Sequence, residues 1–329
     1  MARFLVAATF LTAIAIVAGG LFLAWGKAQF ESAGPLEEST TVVVPRGAGL
    51  ERIATLLDRA DVLERREVFI WGARLTQQAH RLKAGEFAFP ARVSPEEALD
   101  ILVSGETVVR RITIPEGLVS AQVVAVLSAA DGMSGELERV PPQGTLLPET
   151  YNYRWGEDRA AMLRRMERAM EDTLESLWPE RAEDLPFETR EEALTLASIV
   201  EKETSVDDER PLVAGVFINR LRRGMRLQSD PTVVYAATEG LGPLGRRITR
   251  GDLDREHPYN TYRINGLPPG PIANPGRQSI AAALNPAETD YIYFVADGNG
   301  GHAFARTLQE HNRNVAAWRR IRDSQTAED

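Results

Sequence analysis

The chain has 329 residues and 43% hydrophobic content, which suffices for about two folded domains with real cores. Its net charge of −9, from 47 acidic and 38 basic residues, and the lack of a sustained Lys/Arg cluster argue against a nucleic-acid partner. There is no cysteine, and the four histidines are far apart, so we expect no disulfide, no thiol nucleophile, no metal and no cofactor.

The first predicted element is an apolar helix. From Phe4 to Trp25 the chain has no charged residue, and at about 1.5 Å per residue this stretch can cross a hydrocarbon core of about 30 Å. The alternative, a cleaved signal peptide, has a shorter apolar centre and a small-x-small cleavage site, which Trp25 and Phe30 disturb. Arg3 favours a cytoplasmic N-terminus. We predict a cytoplasmic N-terminus, a single-pass inner-membrane anchor and a linker at 1–3, 4–25 and 26–41, with the remainder in the periplasm.

A small βααβ subdomain is predicted over 42–110. A β-branched run at Val42–Val44 and a strand near Gly85–Phe89 enclose two amphipathic helices, one beginning at Leu50 and one around Val68–Thr76. This order resembles the LysM-like module of cell-wall-binding proteins. A structural spacer is the alternative, because many small domains share the same order.

The beginning of this subdomain recurs further along the chain. VVVPRGAGLERIATLLDRADVL from Val42 is echoed by ITIPEGLVSAQVVAVLSAADGM from Ile112, so that Pro45 corresponds to Pro115 and Gly47 to Gly117. Each copy predicts a strand, a Pro-x-Gly turn and an amphipathic helix. Two copies are too few for a solenoid.

The rest of the chain, 111–325, predicts a mixed, mostly helical domain, so the fold class is α+β. Loops rich in Pro, Gly, Asn and Tyr follow Gly224, and a short strand and a final helix follow the loops. The run Gly298–Gly301 follows the strand without opening a helix, which predicts a hairpin turn rather than a phosphate site. Amphipathic helices are predicted at Arg159–Trp178, Arg190–Thr204 and Leu212–Arg222.

Two carboxylates fall on the apolar side of the helix predicted at Arg190–Thr204. On a wheel at about 100° per residue, both Glu201 and Glu203 lie among its apolar residues. Burial disfavours the charged form of a carboxylate, and a protonated carboxyl group near neutral pH is what cleavage of a glycosidic bond requires. Spacing alone leaves a second interpretation open, in which these glutamates pair with Lys202, Arg210 or Arg220.

Four blocks stand out in the second half of the chain: LASIVEKET (196–204), VFINRLRRGMRLQSDPTVVYA (216–236), YNTYRINGLPPGPIANPG (259–276) and YFVADGNGGHAFARTLQEHN (293–312). In this order they resemble the YceG-like (MltG) family of endolytic murein transglycosylases, over roughly residues 40–320. The resemblance implies that Glu201 is the catalytic residue, with Glu203 beside it on the same motif. One position departs from the family pattern: before LLPETY, relatives tend to have Glu-Gly where this chain has Gln143-Gly144.

The resemblance implies a reaction on peptidoglycan glycan strands. The β-1,4 bond between N-acetylmuramic acid and N-acetylglucosamine would be cleaved without water, leaving a 1,6-anhydromuramyl end and terminating nascent strands beside penicillin-binding synthases. Glu201 alone would act as acid and then as base. Two alternatives remain: a non-catalytic wall-binding scaffold, and a hydrolytic muramidase whose second carboxylate is Glu149, Glu203 or Asp230.

Polar and aromatic residues in these blocks suit a sugar cleft, because amide and hydroxyl groups bind sugar substituents while aromatic faces cover the ring. Turn formation by Asp230-Pro231 and core packing by the tyrosines are the structural alternatives. Support for catalysis is assigned to Glu203 and Glu149. The predicted substrate-binding residues are Gln228, Ser229, Asp230, Tyr235, Asn260, Tyr262 and Asn265.

Overall fold

The computed structural model describes residues 2–328, with the side chains of residues 9–323. These residues form two compact units. Unit 1 is the chain up to Arg110 together with Asn152–Glu157, and unit 2 is Arg111–Tyr151 together with the chain from Asp158 onward. About half of the described residues are helical, and their strands pair into three two-stranded sheets. The predicted α+β class with an N-terminal apolar helix is confirmed.

Unit 1 contains the predicted βααβ order. Its two strands, β1 and β2, pair antiparallel with Thr40 opposite Phe89. Helix α4 follows and was not predicted, although its N-terminus has a capping box between Ser94 and Glu97 with Pro95 in the first turn. The likeness to a LysM module stays a prediction. The elements are α1 Ala2–Glu31, β1 Thr40–Val44, α2 Leu50–Arg59, α3 Arg66–Leu75, β2 Gly85–Phe89 and α4 Pro95–Ser104.

The segment for which the sequence predicts a linker, 26–41, packs on unit 1. Helix α1 continues to Glu31, and the side chains of Phe30 and Leu36 are buried in the core of the unit. The Gly34 N–H donates to the Val93 carbonyl at 3.1 Å. The core itself forms as the periodicity predicts, because α2 and α3 each bury one apolar face.

Unit 2 contains the longer helices. Its elements are β3 Arg110–Thr113, α5 Ser120–Ala129, β4 Thr150–Tyr153, α6 Arg159–Leu177, α7 Arg190–Glu203, α8 Arg210–Arg222, α9 Asp230–Thr238, α10 Arg250–Asp254, α11 Arg277–Leu284, β5 Tyr293–Ala296, β6 His302–Ala305 and α12 Leu308–Glu328. The first residue of β3 and the last two of β4 belong to unit 1. The predicted hairpin turn is confirmed, since β5 and β6 pair antiparallel with Tyr293 opposite Ala305.

Both copies of the sequence repeat form a strand, a turn and a helix. Gly47 and Gly117 have φ of 76° and 72°, the left-handed conformation that glycine adopts without strain. Three helices, α9, α10 and the short α11, lie where only loops were predicted, and α10 has only five residues. Helix α9 contains two adjacent valines, which have low helix propensity, and α11 is short, so neither has a strong local signal. Helix α11 is stabilised by packing against α7 and α8.

Candidate active site

Helix α7 carries the two predicted carboxylates in its last turn. The helix begins with a capping box: the Thr189 hydroxyl accepts from the Glu192 N–H at 3.2 Å, and the Glu192 carboxylate accepts from the Thr189 N–H at 3.0 Å. Every residue in 193–200 is buried. The core therefore fixes the helix, and Glu201 and Glu203 lie where that packing ends.

A buried hydroxyl on α7 holds the loop that ends at Gly276. Ser198 Oγ, which is fully buried, accepts from the Ile272 N–H at 3.0 Å. Two residues further on, the side chain of Asn274 accepts from the Leu146 N–H at 3.0 Å. Because these partners are all in the interior, the backbone at Gly276 has a fixed position beside the end of α7.

Glu201 is almost inaccessible to solvent, with 6% of its side chain exposed. One carboxylate oxygen, Oε2, accepts from the Gly276 N–H at 3.0 Å, and the other, Oε1, lies 3.8 Å from Arg210 Nη2. The carboxylate is thus held at both oxygens, by a backbone donor and by a cation. A group held in this way has one orientation and a defined charge environment.

Arg210 is the centre of this cluster and is itself 6% exposed. Its Nε donates to Ser279 Oγ at 3.1 Å, and its Nη1 donates to Gln278 Oε1 at 2.9 Å and to the Asp207 carboxylate. Its Nη2 donates to Glu116 Oε2 at 3.4 Å. One buried guanidinium therefore faces three carboxylates, those of Glu116, Glu201 and Asp207.

Glu116 was not predicted as a site residue. It lies between Pro115 and Gly117 in the second Pro-x-Gly turn, with 41% of its side chain exposed. Burial is the largest cause that raises its pKa, and the nearby charge of Glu201 raises it further, whereas Arg210 lowers it. The sequence repeat gave a hint of a role for Glu116. The corresponding residue of the first copy is Arg46, so the Pro-x-Gly turn itself does not require a glutamate.

Gly276 allows Glu116 to approach. A Cβ atom at this position would lie 1.8 Å from Glu116 Oε1 and 2.3 Å from its Cδ. The φ of Gly276 is −76°, so the glycine is needed for space and not for backbone conformation. Both Glu116 and Glu201 therefore meet at one backbone position.

Glu203 is two residues after Glu201 and therefore lies on the opposite side of α7, in a second polar cluster. It is partly buried, and the Ser229 hydroxyl donates to its Oε1 at 2.5 Å. Burial raises the pKa of Glu203 to about 7; the Asp230 charge raises it further, while the Ser229 hydrogen bond and the Arg220 cation lower it. The desolvation that the helical wheel predicts is found at this carboxyl group.

Four of the predicted residues lie together in this second cluster: Glu203, Ser229, Asp230 and Tyr262. Asp230 is exposed and its Oδ1 accepts from the Tyr262 hydroxyl at 2.7 Å. Burial, followed by this hydrogen bond, raises the pKa of Tyr262. Gln228 is exposed next to Ser229, with a φ of 50°. The cluster presents a carboxylate, an amide and a phenol ring, which are groups that bind sugars.

Asn260 and Tyr235 have other surroundings. Asn260 is fully buried, and its amide donates to the carbonyls of Asp252, Leu253 and Arg255, so it holds its own loop. The ring of Tyr235 lies 4.6 Å from that of Tyr259, and burial raises the pKa of Tyr235 to about 12. Their predicted contacts with substrate stay predictions.

Gln143, the position that departs from the family pattern, caps a helix. Its Oε1 accepts from the Ser120 N–H at 2.8 Å at the start of α5, and its side chain also bonds the Tyr235 hydroxyl.

Two further predicted site residues, Glu149 and Asn265, are both exposed. The carbonyl of Glu149 accepts from the Ile114 N–H at 3.0 Å, in the pairing of β3 with β4.

The β5–β6 hairpin is held to the segment after α7 by two contacts between His302 and Glu209. His302 Nδ1 lies 2.7 Å from Glu209 Oε2, and the His302 N–H donates to Glu209 Oε1 at 2.8 Å. Among the residues that the structure describes, no group of three His, Asp or Glu side chains is arranged to hold a metal ion.

The chain is similar in sequence to known proteins. The chain matches the profile of the YceG-like family over residues 42–317. It is 32% identical over 335 residues to the endolytic murein transglycosylase of Bacillus subtilis, an alignment that covers 91% of this chain and 90% of that protein. It is 29% identical over 361 residues to the endolytic murein transglycosylase of Streptococcus pneumoniae, covering 94% of this chain but 64% of the pneumococcal protein.

A solved structure is also similar. The crystal structure of a YceG-like protein from Listeria monocytogenes aligns with a TM-score of 0.51 and 29% sequence identity. The alignment covers 84% of this chain and 98% of the Listeria chain. Sequence and fold are therefore similar to the same group of proteins.

Proposed function

Because the chain belongs to the YceG-like family, we propose that it is a lytic transglycosylase of peptidoglycan that cleaves the bond between N-acetylmuramic acid and N-acetylglucosamine. The observation that carries the proposal is Glu201, a buried carboxylate on a rigid helix, held by the Gly276 N–H and the Arg210 guanidinium. Glycan strands are the substrate, and the product is a 1,6-anhydromuramyl end.

Glu201 performs both proton transfers of this reaction. In its protonated form it donates a proton to the glycosidic oxygen as the bond from that oxygen to muramyl C1 breaks. The resulting carboxylate accepts the proton of the muramyl C6 hydroxyl as the C6 oxygen bonds to C1. The enzyme returns to its starting state, and no water is consumed.

The groups around Glu201 suit its two proton transfers. Glu116 faces the same buried guanidinium, and burial, together with the nearby charge of Glu201, raises the pKa of Glu116. Once Glu201 has donated its proton, Arg210 and the Gly276 N–H stabilise the carboxylate. Glu116 lies beside the same backbone position, Gly276, and in this proposal it exchanges a proton with Glu201.

The second cluster binds the glycan strand in this proposal. Tyr262, Asp230 and Gln228 supply an aromatic face and hydrogen-bonding groups beside Glu203, at the end of the same helix that carries Glu201. Glu203 supports catalysis by position rather than as a nucleophile, since an anhydro product needs no covalent enzyme intermediate. Tyr235, Asn260 and Asn265 belong to the same proposed cleft.

We propose that α1 anchors the chain in the inner membrane, with the rest of unit 1 and all of unit 2 in the periplasm. The helical stretch Thr9–Glu31 has the length and apolar composition that a membrane crossing requires. The βααβ part of unit 1 would hold glycan strands as a LysM-like module. Penicillin-binding synthases are the proposed neighbours, and recovery of none of them with the membrane-embedded protein would contradict that assignment.

The test is cleavage of purified glycan strands, with the ends analysed by mass spectrometry. Wild-type protein should release anhydromuramyl ends, and Glu201→Gln, which keeps the shape but removes the proton donor, should lower turnover by about 10²-fold to 10⁴-fold. Glu191→Gln, an exposed substitution on the same helix, is the matched control and should retain activity. Reducing ends alone would indicate a muramidase, and full activity of Glu201→Gln would remove Glu201 from catalysis.

A further inference from the structure

Helix α1 is joined to the rest of unit 1 without a flexible connection. The helix runs uninterrupted from Ala2 to Glu31, and its last turn packs on α3. Phe30 is buried, and its ring lies over Gly72, where a Cβ atom would be 2.2 Å from the ring. The position of unit 1 relative to the apolar helix is therefore set by packing.

An exposed apolar face of α3 lies next to the end of the apolar stretch. Trp71 is 55% exposed and Leu75 is 70% exposed, and they share one side of α3 because they are four residues apart. Apart from α1, the large exposed hydrophobic residues of the described part of unit 1 are these two and Val109. The patch is thus confined to the place where α3 meets α1.

Aromatic contacts connect this face to α1. The ring of Trp71 lies 6.1 Å from that of Phe22 in an edge-to-face arrangement, and the Arg65 guanidinium lies 5.5 Å from the Trp25 ring. Between the helices is an open, mainly apolar cavity of about 540 Å³, within the range of small-molecule sites.

The depth of the cavity follows from helix geometry. The predicted apolar span ends at Trp25, so Phe22 lies about 4.5 Å inside the hydrocarbon core when α1 spans the bilayer. Trp71 contacts Phe22 and is therefore at the level of the membrane interface, which tryptophan favours because its ring is apolar and its N–H is polar. The rim carries Lys27 and Arg65 together with glutamates, so its charge is nearly balanced.

We infer that the cavity between α1 and α3 is a lipid site, filled by acyl chains of the outer leaflet of the inner membrane, and that it seats unit 1 on the bilayer. This inference rests on the proposed membrane anchor and not on glycan cleavage. Trp71 and Leu75 contact lipid, and Arg65 and Lys27 lie at the headgroup level, where long basic side chains reach the polar layer. The part of unit 1 that follows α1 therefore lies on the membrane surface and is not separated from it by a flexible linker.

The test uses the full chain in lipid nanodiscs, with acyl chains brominated near the headgroup end to quench tryptophan fluorescence. Two variants each keep one tryptophan, Trp25 or Trp71, and replace the others by Phe. Both should lose at least half of their fluorescence relative to unbrominated lipid, in zwitterionic and in anionic nanodiscs alike. Adding Leu75→Glu to the second variant should restore the fluorescence of Trp71, because a carboxylate is costly in hydrocarbon.

The two variants separate the possible failures. Quenching of Trp25 without quenching of Trp71 would overturn the lipid site and leave the anchor in place. No quenching of either would overturn the anchor as well. Quenching of Trp71 that requires anionic lipid would overturn the acyl-chain assignment. Circular dichroism of each variant checks the fold, and glycan cleavage is measured separately.

Discussion

Replacing Glu203 by Gln should make the folded protein more stable at alkaline pH. Burial of Glu203 raises the pKa of its carboxyl group from the ordinary 4.5 to about 7, and the neighbouring charge of Asp230 acts in the same direction. Ser229 and Arg220 oppose the shift but do not cancel it. Glutamine has nearly the same shape, and its carbonyl oxygen can still accept from the Ser229 hydroxyl, so the substitution removes the titration and little else.

The sign follows from proton binding. Between about pH 4.5 and 7 the folded protein holds the Glu203 proton more tightly than the unfolded chain does. The stability contributed by this proton is fully present below the unfolded pKa and is lost as pH rises through the folded pKa. At about 1.36 kcal/mol per pH unit, the difference between the two pKa values corresponds to a loss of about 3 kcal/mol.

Urea denaturation of the full chain in detergent micelles, at about pH 5 and about pH 8, measures this effect. The free energy of unfolding of Glu203→Gln minus that of wild type should rise by about 2–3 kcal/mol between the two pH values. Glu192→Gln is the control and should give nearly the same difference from wild type at both pH values. N–H bonds, first that of Glu188, lower the pKa of the Glu192 carboxylate, so its contribution to stability is lost only as pH falls below the ordinary 4.5. Parallel curves for wild type and Glu203→Gln would refute the desolvation of Glu203.

Three further substitutions test the arrangement around Glu201. Glu116→Gln should lower turnover by about 10-fold to 100-fold and change the acid limb of the pH–rate profile while glycan binding persists; an unchanged profile would exclude Glu116 from proton transfer. Gly276→Ala puts a Cβ atom 1.8 Å from Glu116 Oε1, so we expect reduced turnover and about 1–3 kcal/mol of destabilisation in urea denaturation, and wild-type turnover would contradict the close approach. Gln143→Glu should keep the bond to the Ser120 N–H and leave turnover near wild type, and a large gain would show that the residue of the relatives adds to catalysis.

Local sequence patterns predicted the long elements well. The helices at α6, α7 and α8 lie within two residues of the predicted bounds, because each buries an apolar face whose period is local information. The strand order of unit 1 and the β5–β6 hairpin were equally readable. Helix α11 was missed because its eight residues, although rich in alanine, are too few to form a stable helix alone, and packing against α7 stabilises them.

The candidate site, like the fold, was predicted from the sequence only in part. The sequence placed Glu201 and Glu203 at the end of a buried helix, and the family blocks nominated Glu201. It could not show that the pKa of Glu203 is raised to about 7, because that shift comes first from burial in the tertiary structure and is then modified by Ser229 and Asp230 from another segment. Nor could it show that the amide of Asn260 is occupied by its own loop.

The sequence by itself determined the apolar helix, the βααβ order, the buried helix that carries Glu201, and the family. Only the tertiary structure decided which groups surround Glu201: a glutamate 85 positions earlier along the chain, an arginine on the next helix, and the backbone N–H of Gly276, which is 75 residues away. Helical periodicity reports which face of one element is buried. It carries no information on which distant turn meets that face, and a backbone donor has no side chain for a sequence pattern to reveal.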